Sequence, residues 1–473
     1  MKKFKQILLI VLLIPCLFLI SGCSIFEKEP VYVTGIVQGE TIEGKTTYVV
    51  QYSNGQTSLF SVNNGKDGEN GENLTIESIE SYCAKKGIDF KSFLKEYLTV
   101  VQHQQSVQDA ANVSALSSVS VWCEFPVISG YTKYNQLTTG SGVIYKMEDE
   151  FSYILTNYHV VYWYDCQTEN DIAKNITIFQ FGTSNDVYKT NKTENGYPVY
   201  EYGDGAIQAE YIGGSMTYDL ALLKVNTADL LTYNEHAKAV TIASDYELGE
   251  TAIAIGNPEA LGFSVTSGIV SVKSEELRTT GADDLTIIDF RVMRIDTAIN
   301  SGNSGGGLFN INGELIGIVN IKAVSSDIDN IAFAIPHDNV TAVADNILHY
   351  YLQDTTQPSS VKILNPGMKY SGENSRALYN PTTKRTTIKE DVIVSQLTVG
   401  YANNIRIFIG DIITKISING VETDIIQAHQ VEDLMLTIRE DDKVIITVKR
   451  GNSLVELGSA SVGVSAMYLE EVI

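Results

Sequence analysis

The sequence predicts a mainly β protein in which a long region of antiparallel strands is followed by a small α+β domain. Two observations support this prediction. From residue 106 to 352, short runs of β-branched and aromatic residues alternate with Gly, Asn and Asp turns, which is typical of antiparallel barrels or sandwiches. From residue 361 to 473, strand-like runs flank one amphipathic helical stretch, which indicates a mixed α+β unit.

Length, composition and charge limit the possible classes of protein. A chain of 473 residues is too long for one ordinary core and predicts two packed domains in addition to an export segment. The apolar fraction of 44% and the charged fraction of 19% are those of a folded globular protein. The formal charge of 34 minus 57, or −23, together with the absence of Lys or Arg runs, argues against nucleic-acid binding.

The first 23 residues have the pattern of an export and anchoring signal. A basic tip leads into the apolar run Ile7 to Ile20, which is short for a membrane span and ends at Ser21-Gly22-Cys23. This ending resembles a bacterial lipoprotein signal, which implies a signal peptide over residues 1–22 and a lipid on Cys23. We therefore expect a chain anchored on the outer side of a cell membrane. An ordinary cleaved signal or an uncleaved anchor remains the alternative.

Three further segments are expected to connect the anchor and the domains. Residues 23–74 combine a small β-meander with a Gly-rich polar linker, because β-branched residues give way to glycine at every third place. Residues 75–105 carry helical spacing and predict a helical spacer. The stretch His337 to Leu352 predicts a helix that closes the central domain, and residues 353–360 predict a linker.

A glycine-rich segment from Asn300 to Gly307 is the sharpest local signal. It surrounds Ser304 with residues that let backbone N–H groups approach a reacting carbonyl. We expect Ser304 to be a nucleophile, with the N–H groups of Gly302 and Ser304 as oxyanion-hole donors and Asn303 allowing the bend between them. Taken alone, the segment is also compatible with a loop that has no chemical role.

A serine nucleophile needs a base, and the base needs an orienting carboxylate. His159 lies at the end of the apolar run from Ile154, where a rigid strand can present its ring to a cleft. Asp219 opens the apolar run to Val225 and is expected to be buried. Each residue alone is more typical of a structural role. Their joint occurrence in the order His, Asp, Ser favours a hydrolase.

The chain resembles the HtrA (Deg) family of PDZ-containing, trypsin-fold serine proteases. Beyond the three motifs above, the resemblance covers nearly the whole middle region through these segments: Gly140–Ile144, Ala254–Pro258, Val265–Ser271, Asp296–Gly306, Gly313–Ile318 and Phe333–Pro336. It implies a double antiparallel β-barrel with the active site between the barrels, an acyl-enzyme mechanism, no cofactor or metal, and frequent homotrimers. Gly307 stands where a proline is common in that family.

The same resemblance bears on substrates. Ala298 occupies the place where trypsin-like enzymes carry an acidic pocket floor, so a Lys or Arg preference is not expected. The pocket wall is expected to include Gly317, Ile318, Val319 and Asn320. Small or medium aliphatic residues before the cut, and unfolded exported proteins, are the substrates that the resemblance implies.

The C-terminal unit resembles a PDZ domain through Gly410-Asp411-Ile412-Ile413, the Asn419-Gly420 turn and the following helix. PDZ domains add a peptide as an extra strand and hold its carboxylate in a backbone nest. The insertion from Ser371 to Lys389 can cover or replace this groove, and a docking or spacer domain without peptide affinity remains the alternative.

Cysteine usage excludes a disulfide framework. Besides Cys23 and the signal, only Cys83, Cys123 and Cys166 remain. The pair Cys123 and Cys166 could form a bridge in an oxidising compartment, and buried free thiols are equally compatible.

The sequence therefore predicts an extracytoplasmic serine endopeptidase that cleaves unfolded or damaged exported proteins and carries a peptide-binding PDZ-like module. The alternative is a peptide-binding chaperone or sensor that retains the protease fold with negligible turnover.

Overall fold

The computed structural model describes residues 33–42, 45–52, 55–63, 84–85, 89, 107–257, 262–322 and 331–472. The predicted signal peptide, Cys23, Cys83 and most of the predicted linker and spacer over residues 63–106 lie outside the described residues. The chain divides into two compact units, Met1–Glu96 and Tyr97–Ile473. In the described residues, no helix combines the length and the apolar character that a membrane span requires.

The first unit contains an antiparallel meander of three strands. These are β1 (Val33–Ile42), β2 (Lys45–Tyr52) and β3 (Thr57–Asn63), in the order β1-β2-β3. The turn signals of the sequence separate the strands, as expected for residues rich in Thr, Tyr and Val.

In the second unit, the first described element is a helix over residues 107–115 (α1), which is followed by a closed barrel of six strands. In spatial order these strands are β11 (Leu220–Asn226), β6 (Phe151–Thr156), β5 (Thr132–Met147), β4 (Ser118–Ser129), β7 (Asn175–Gln180) and β10 (Ile207–Ser215), with β10 pairing back onto β11. The apolar residues Val119, Val121, Cys123 and Phe125 alternate along β4 and are fully buried in the core of this barrel, and most of the polar residues between them are buried as well. A separate ribbon is formed by β8 (Val187–Glu194) and β9 (Tyr197–Tyr202).

A second barrel closes in the same way. Its ring runs through β17 (Glu314–Lys322), β16 (Gly307–Phe309), β13 (Thr251–Gly256), β14 (Ser264–Thr280), β15 (Ile287–Ile295) and β18 (Ala332–Pro336), and β18 pairs with β17. The short strand β12 (Thr241–Ile242) joins the outer edge of β17. The predicted fold class, mainly β with a double barrel, is confirmed.

Three short or medium helices accompany the barrels: α2 (Tyr158–Val161), α3 (Thr227–Tyr233) and α4 (His337–Tyr351). Helix α4 agrees with the predicted helix 337–352. Its residues Val340, Val343, Ala344 and Ile347 follow the spacing i, i+3, i+4, i+7 and are fully buried. They belong to the same core cluster as residues of both barrels, so the helix closes the core between them.

The C-terminal residues form an α+β unit, as predicted, with two helices where the sequence indicates one. The elements are β19 (Ser359–Leu364), β20 (Met368–Asn380), β21 (Arg385–Leu397), α5 (Tyr401–Ile405), β22 (Ile412–Ile418), β23 (Val421–Asp424), α6 (His429–Thr437), β24 (Val444–Arg450), β25 (Ser453–Gly458) and β26 (Leu469–Val472). The main sheet has the order β20-β21-β22-β24-β25, which leaves β20 at an edge. The insertion from Ser371 to Lys389 lengthens β20 and β21 into a long hairpin.

Two C-terminal strands extend the sheet of the first barrel by backbone pairing. Strand β19 runs parallel to β10 with Gly213 opposite Ser359, and β26 pairs with β19 on its other side. The side chain of Asn346 on α4 both donates to the Lys362 carbonyl at 2.7 Å and accepts from the Lys362 N–H at 2.9 Å. Residues 359 and 360, predicted as the end of a linker, therefore belong to a strand.

Helix α6 presents an acidic face to the barrels. Tyr218 Oη donates to Glu432 Oε1 at 3.2 Å, and the buried Arg291 guanidinium lies 3.2 Å from Asp433 Oδ2. Arg291 also pairs with Asp338 and donates to Asn339 Oδ1. Since Tyr218 precedes Asp219, this contact lies directly beside the candidate site.

Candidate active site

The segment that carries His159 differs from the predicted rigid strand. Strand β6 ends at Thr156, and His159 lies in α2, a single helical turn. Val160 and Val161 are buried and fix this turn against the first barrel, while 37% of the His159 side chain stays exposed. The ring is thus held by a helical turn immediately after the strand.

Asp219 is oriented by three hydrogen bonds from two residues. His159 Nδ1 lies 2.7 Å from Asp219 Oδ2, and the His159 backbone N–H donates to Oδ1 at 2.9 Å. The third donor is Asn320 Nδ2, at 2.6 Å from Oδ2. Asp219 itself adopts a left-handed backbone conformation with φ of 48°, which aspartate tolerates better than most residues. With these partners the buried carboxylate has one fixed orientation.

The environment of His159 favours its protonated form. Partial burial disfavours a charged ring, but the Asp219 charge and the hydrogen bond from Nδ1 outweigh it and raise the His159 pKa above its ordinary value. Asp219 therefore orients the ring and stabilises the imidazolium, as the sequence analysis expects for an orienting carboxylate.

Ser304 shares one cavity with this pair. The cavity has a volume of about 370 Å³, and His159, Asp219, Ser304 and Asn320 all line it. The Ser304 hydroxyl donates to the Asn320 carbonyl at 2.9 Å. The structure thus brings the three predicted residues together, with the hydroxyl directed to Asn320 and not to the His159 ring.

The loop around Ser304 bends as the glycines predict. Gly302 and Gly305 have φ of 94° and 83°, values that favour glycine. The Asn303 N–H donates to the Asn300 carbonyl at 3.1 Å and is not available to a ligand. Within the described part of the chain, the Gly302 and Ser304 N–H groups donate to no protein acceptor. These two N–H groups are the oxyanion-hole donors that the sequence predicts.

Ser141 holds the loop around Ser304 in place through hydrogen bonds. The sequence does not predict it as a site residue. Its N–H donates to the Ser304 carbonyl at 2.8 Å, and its hydroxyl donates to the Gly302 carbonyl at 2.7 Å. The Asn257 N–H in turn donates to that hydroxyl at 2.9 Å. The Gly140-Ser141-Gly142 motif was visible in the sequence, but it does not reveal which distant loop Ser141 contacts.

The predicted pocket wall needs correction. Ala298 is exposed, while Ile318 and Val319 are fully buried and Gly317 packs against the Ile335 carbonyl. None of these four lines the cavity with Ser304: Ala298 lies in the segment after β15, and Gly317, Ile318 and Val319 lie in the part of β17 that packs into the second barrel. Of the residues predicted for the pocket wall, only Asn320 lines this cavity, and its side-chain amide donates to Asp219.

The opposite wall of the cavity comes from the β14–β15 hairpin, which the sequence analysis did not include. Its lining residues are Thr279, Thr280, Gly281, Ala282, Asp284, Ile288 and Phe290. No local motif marks this hairpin, since its position beside Ser304 follows from closure of the second barrel.

Cys123 and Cys166 are both buried free thiols. Burial raises the pKa of the Cys123 thiol, which keeps it protonated. Of the two alternatives left open by the sequence, the structure has the free thiols.

Comparison with known proteins agrees with this architecture. Residues 140–318 match the trypsin-like peptidase domain family. "Serine protease Do-like HtrA" of Bacillus subtilis is 33% identical over 216 residues, which cover 44% of this chain and 39% of the relative. "Serine protease Do-like HtrA" of Lactococcus lactis subsp. cremoris is 28% identical over 329 residues, or 67% of this chain and 68% of the relative. The chain is similar to HtrA serine proteases over these matched residues.

The matched regions extend further in some relatives than in others. The alignment spans about two fifths of the Bacillus protein and about two thirds of the Lactococcus protein. Among solved structures, a serine endoprotease from Yersinia pestis is 24% identical with a TM-score of 0.40, covering 76% of this chain and 98% of that one. The HtrA-type protease AlgW with a decapeptide is 22% identical with a TM-score of 0.44, covering 74% and 97%. The predicted resemblance to the HtrA serine proteases is confirmed by the sequence relatives, and the matched domain is of the trypsin-like peptidase type.

Proposed function

We propose that this protein is an extracytoplasmic serine endopeptidase that cleaves unfolded or damaged exported proteins. The observation that carries the proposal is the shared cavity, in which the hydrogen-bonded His159–Asp219 pair and the Ser304 hydroxyl lie beside two free backbone N–H donors. A base, an orienting carboxylate, a nucleophile and an oxyanion site are the four parts that acyl transfer requires.

The proposed reaction starts with rotation of the Ser304 hydroxyl from the Asn320 carbonyl towards His159 Nε2. The oxygen then attacks the substrate carbonyl carbon while the ring takes its proton. The Gly302 and Ser304 N–H groups bind the resulting oxyanion. Collapse breaks the C–N bond, the ring returns the proton to the leaving amine, and an acyl-enzyme remains on Ser304. Water, activated by the same ring, hydrolyses the ester and regenerates the hydroxyl.

The test compares wild type with Ser304→Ala on an unfolded protein such as reduced, alkylated casein. We expect Ser304→Ala to lose degradation, whereas Ser301→Ala, which alters another serine lining the same cavity, retains it. Equal degradation by wild type and Ser304→Ala would exclude the proposal.

A second candidate is a chaperone or sensor with negligible turnover. The bond from Ser304 Oγ to the Asn320 carbonyl favours it, because a hydroxyl held there is not activated by His159. A fluorophosphonate probe separates the two candidates, since it labels only an activated serine with a working oxyanion hole. Labelling of wild type that is lost in Ser304→Ala supports the peptidase, and absence of labelling supports the chaperone.

The PDZ-like role of the C-terminal unit is part of the proposal. Strand β20 is a sheet edge, which is the element that such domains offer to an added peptide strand. Tyr370 on β20 lies near α6: burial, followed by the Glu432 and Asp433 charges, raises its pKa. Peptide C-termini or extended peptides are the expected partners, and measured binding that Tyr370→Asp weakens would support this assignment.

Membrane attachment through Cys23 and a possible homotrimer complete the proposal. The first is supported by the lipoprotein-like sequence before Cys23, and a Haemophilus influenzae relative carries the name "Probable periplasmic serine protease do/HhoA-like". Cys23→Ala should move the chain from the membrane fraction to the medium or soluble fraction and abolish incorporation of labelled fatty acid. Sedimentation of the detergent-solubilised protein tests the trimer.

A further inference from the structure

The β14–β15 hairpin gives the cavity an apolar wall with one uncommitted charge at its edge. Ile288 and Phe290 of the hairpin and Ile299 of the loop before Ser304 are buried side chains that line the cavity. An entering substrate side chain can therefore pack against this apolar wall. Such a wall favours an aliphatic stem.

Acidic side chains outnumber lysine and arginine in the lining of the cavity. Its lining contains two carboxylates, Asp219 and Asp284, and within the described residues no lysine or arginine lines it. Asp219 already accepts three hydrogen bonds. Asp284 is exposed, and none of the described side chains forms an ion pair or hydrogen bond with its carboxylate. Asp284 is thus the acid that remains available to a substrate.

The position of Asp284 is fixed by its turn. The Asp284 N–H donates to the Gly281 carbonyl at 3.0 Å, and the Gly281 N–H donates to the Thr286 carbonyl at 2.7 Å. Asp283 accepts from the Leu285 and Thr286 N–H groups. Gly281 is packed so closely that a Cβ there would lie 3.0 Å from Met216 Sδ. The carboxylate therefore projects from an anchored turn.

We propose that Asp284 is a specificity-determining residue that selects a basic substrate side chain within a few residues of the scissile bond. The aliphatic stem of lysine or arginine packs on Ile288, Phe290 and Ile299, and its cationic end reaches Asp284. This inference rests on the proposed peptidase function and names its substrate class more narrowly. It also replaces the argument from Ala298, which lies outside the cavity, as the source of charge preference. The net charge of −23 adds a general attraction for basic segments.

The test uses pairs of peptides that differ only by lysine or norleucine, which has the same straight stem without the charge. The substituted residue is placed in turn at each of the three positions before the scissile bond. An exposed ion pair contributes up to about 1 kcal/mol, so wild type should prefer lysine about fivefold in kcat/KM at one position. Asp284→Asn should remove the preference, and Asp284→Lys should invert it in favour of norleucine, because the introduced charge repels the lysine peptide. Added salt should weaken it.

Asp289→Asn is the matched control. It removes the same charge from the same hairpin, but Asp289 lies outside the cavity lining and pairs loosely with Arg278 at 3.7 Å. The control should keep the wild-type ratio. Equal cleavage of lysine and norleucine peptides by wild type at all three positions, or an unchanged ratio in Asp284→Asn, overturns the proposal.

A binding measurement separates this proposal from the peptidase function. The same peptides are titrated into the Ser304→Ala variant, with and without Asp284→Asn, by fluorescence anisotropy. Failure of wild type to cleave any peptide contradicts the peptidase function. The ratio of the lysine and norleucine Kd values still decides the role of Asp284: about fivefold supports it, and unity refutes it.

Discussion

Removing the side-chain amide of Asn320 tests how the candidate site is positioned. Asn320 is buried and donates from Nδ2 to Asp219 Oδ2 at 2.6 Å, the same oxygen that accepts from His159 Nδ1. Asn320→Leu keeps the volume and the backbone carbonyl but removes this donor. A hydrogen bond to a charged group contributes about 1.5–3 kcal/mol. If that energy serves only to hold Asp219 in its working orientation, kcat should fall about 10- to 150-fold.

The variant should also change the pH profile in a defined direction. Without the amide, more negative charge remains on Asp219 Oδ2, which stabilises the imidazolium and raises the His159 pKa further. Because the neutral ring is the base, the acid limb of kcat/KM should move to higher pH. KM should change little, since the amide contacts Asp219 and not the substrate.

The assay is steady-state cleavage of a fluorogenic peptide between pH 5 and 9, combined with thermal unfolding. Asn310→Leu is the control, because Asn310 is equally buried in the second barrel but bonds to Glu314 in a turn. An Asn320→Leu enzyme with wild-type kcat and an unmoved acid limb would refute the reasoning. If Asn310→Leu loses as much activity as Asn320→Leu, the Asn320 amide contributes to stability and not to the orientation of Asp219.

Three further predictions follow from the same structure. Asp219→Asn should lower kcat about 10,000-fold, because it leaves the His159 ring in the wrong tautomer. Since the Asp219 charge raises the His159 pKa, the acid limb of the remaining activity should also move down towards pH 6.5. A pH–rate profile checks both expectations. Gly305→Ala should destabilise the protein by about 3 kcal/mol in denaturant unfolding, because its Cβ would lie 2.2 Å from the Ser141 carbonyl oxygen. Gly249→Ala, at a similar φ of 79° but with open space around the Cβ, should cost only about 1 kcal/mol, and equal losses would contradict the crowding argument. Burial raises the Asp433 pKa to about 8 despite the nearby Arg291 charge, so the folded state binds more protons than the unfolded state between the two pKa values. Stability should therefore fall as pH rises towards 8, and Asp433→Asn should flatten that slope in urea unfolding.

The sequence predicts those features of the fold that depend on local periodicity. The i, i+3, i+4, i+7 spacing of Val340, Val343, Ala344 and Ile347 determines which face of α4 is buried, so α4 agrees closely with the predicted helix. His159 shows the limit of this reasoning. The apolar run that contains it continues past the end of β6, and periodicity alone cannot distinguish the last strand residue from the following helical turn.

The features that the sequence does not predict depend on contacts between segments that lie far apart in the chain. The motif around Ser304 predicts a nucleophile, but its hydrogen bond to the Asn320 carbonyl depends on how β17 passes the loop. The family resemblance predicts a pocket wall from Gly317 to Asn320, whereas closure of the second barrel brings the β14–β15 hairpin to the cavity. Asp284 has no distinctive neighbours in the sequence, and only its location in space gives it a candidate role.

The parallel pairing of β19 with β10 also has a mechanical consequence. Tension applied to β26 is carried through backbone hydrogen bonds to β19 and from there to Gly213 and Gly214 of the first barrel. Those glycines lie in the strand whose continuation reaches Asp219 within a few residues. A pull on β26 is therefore expected to reach the segment that carries Asp219.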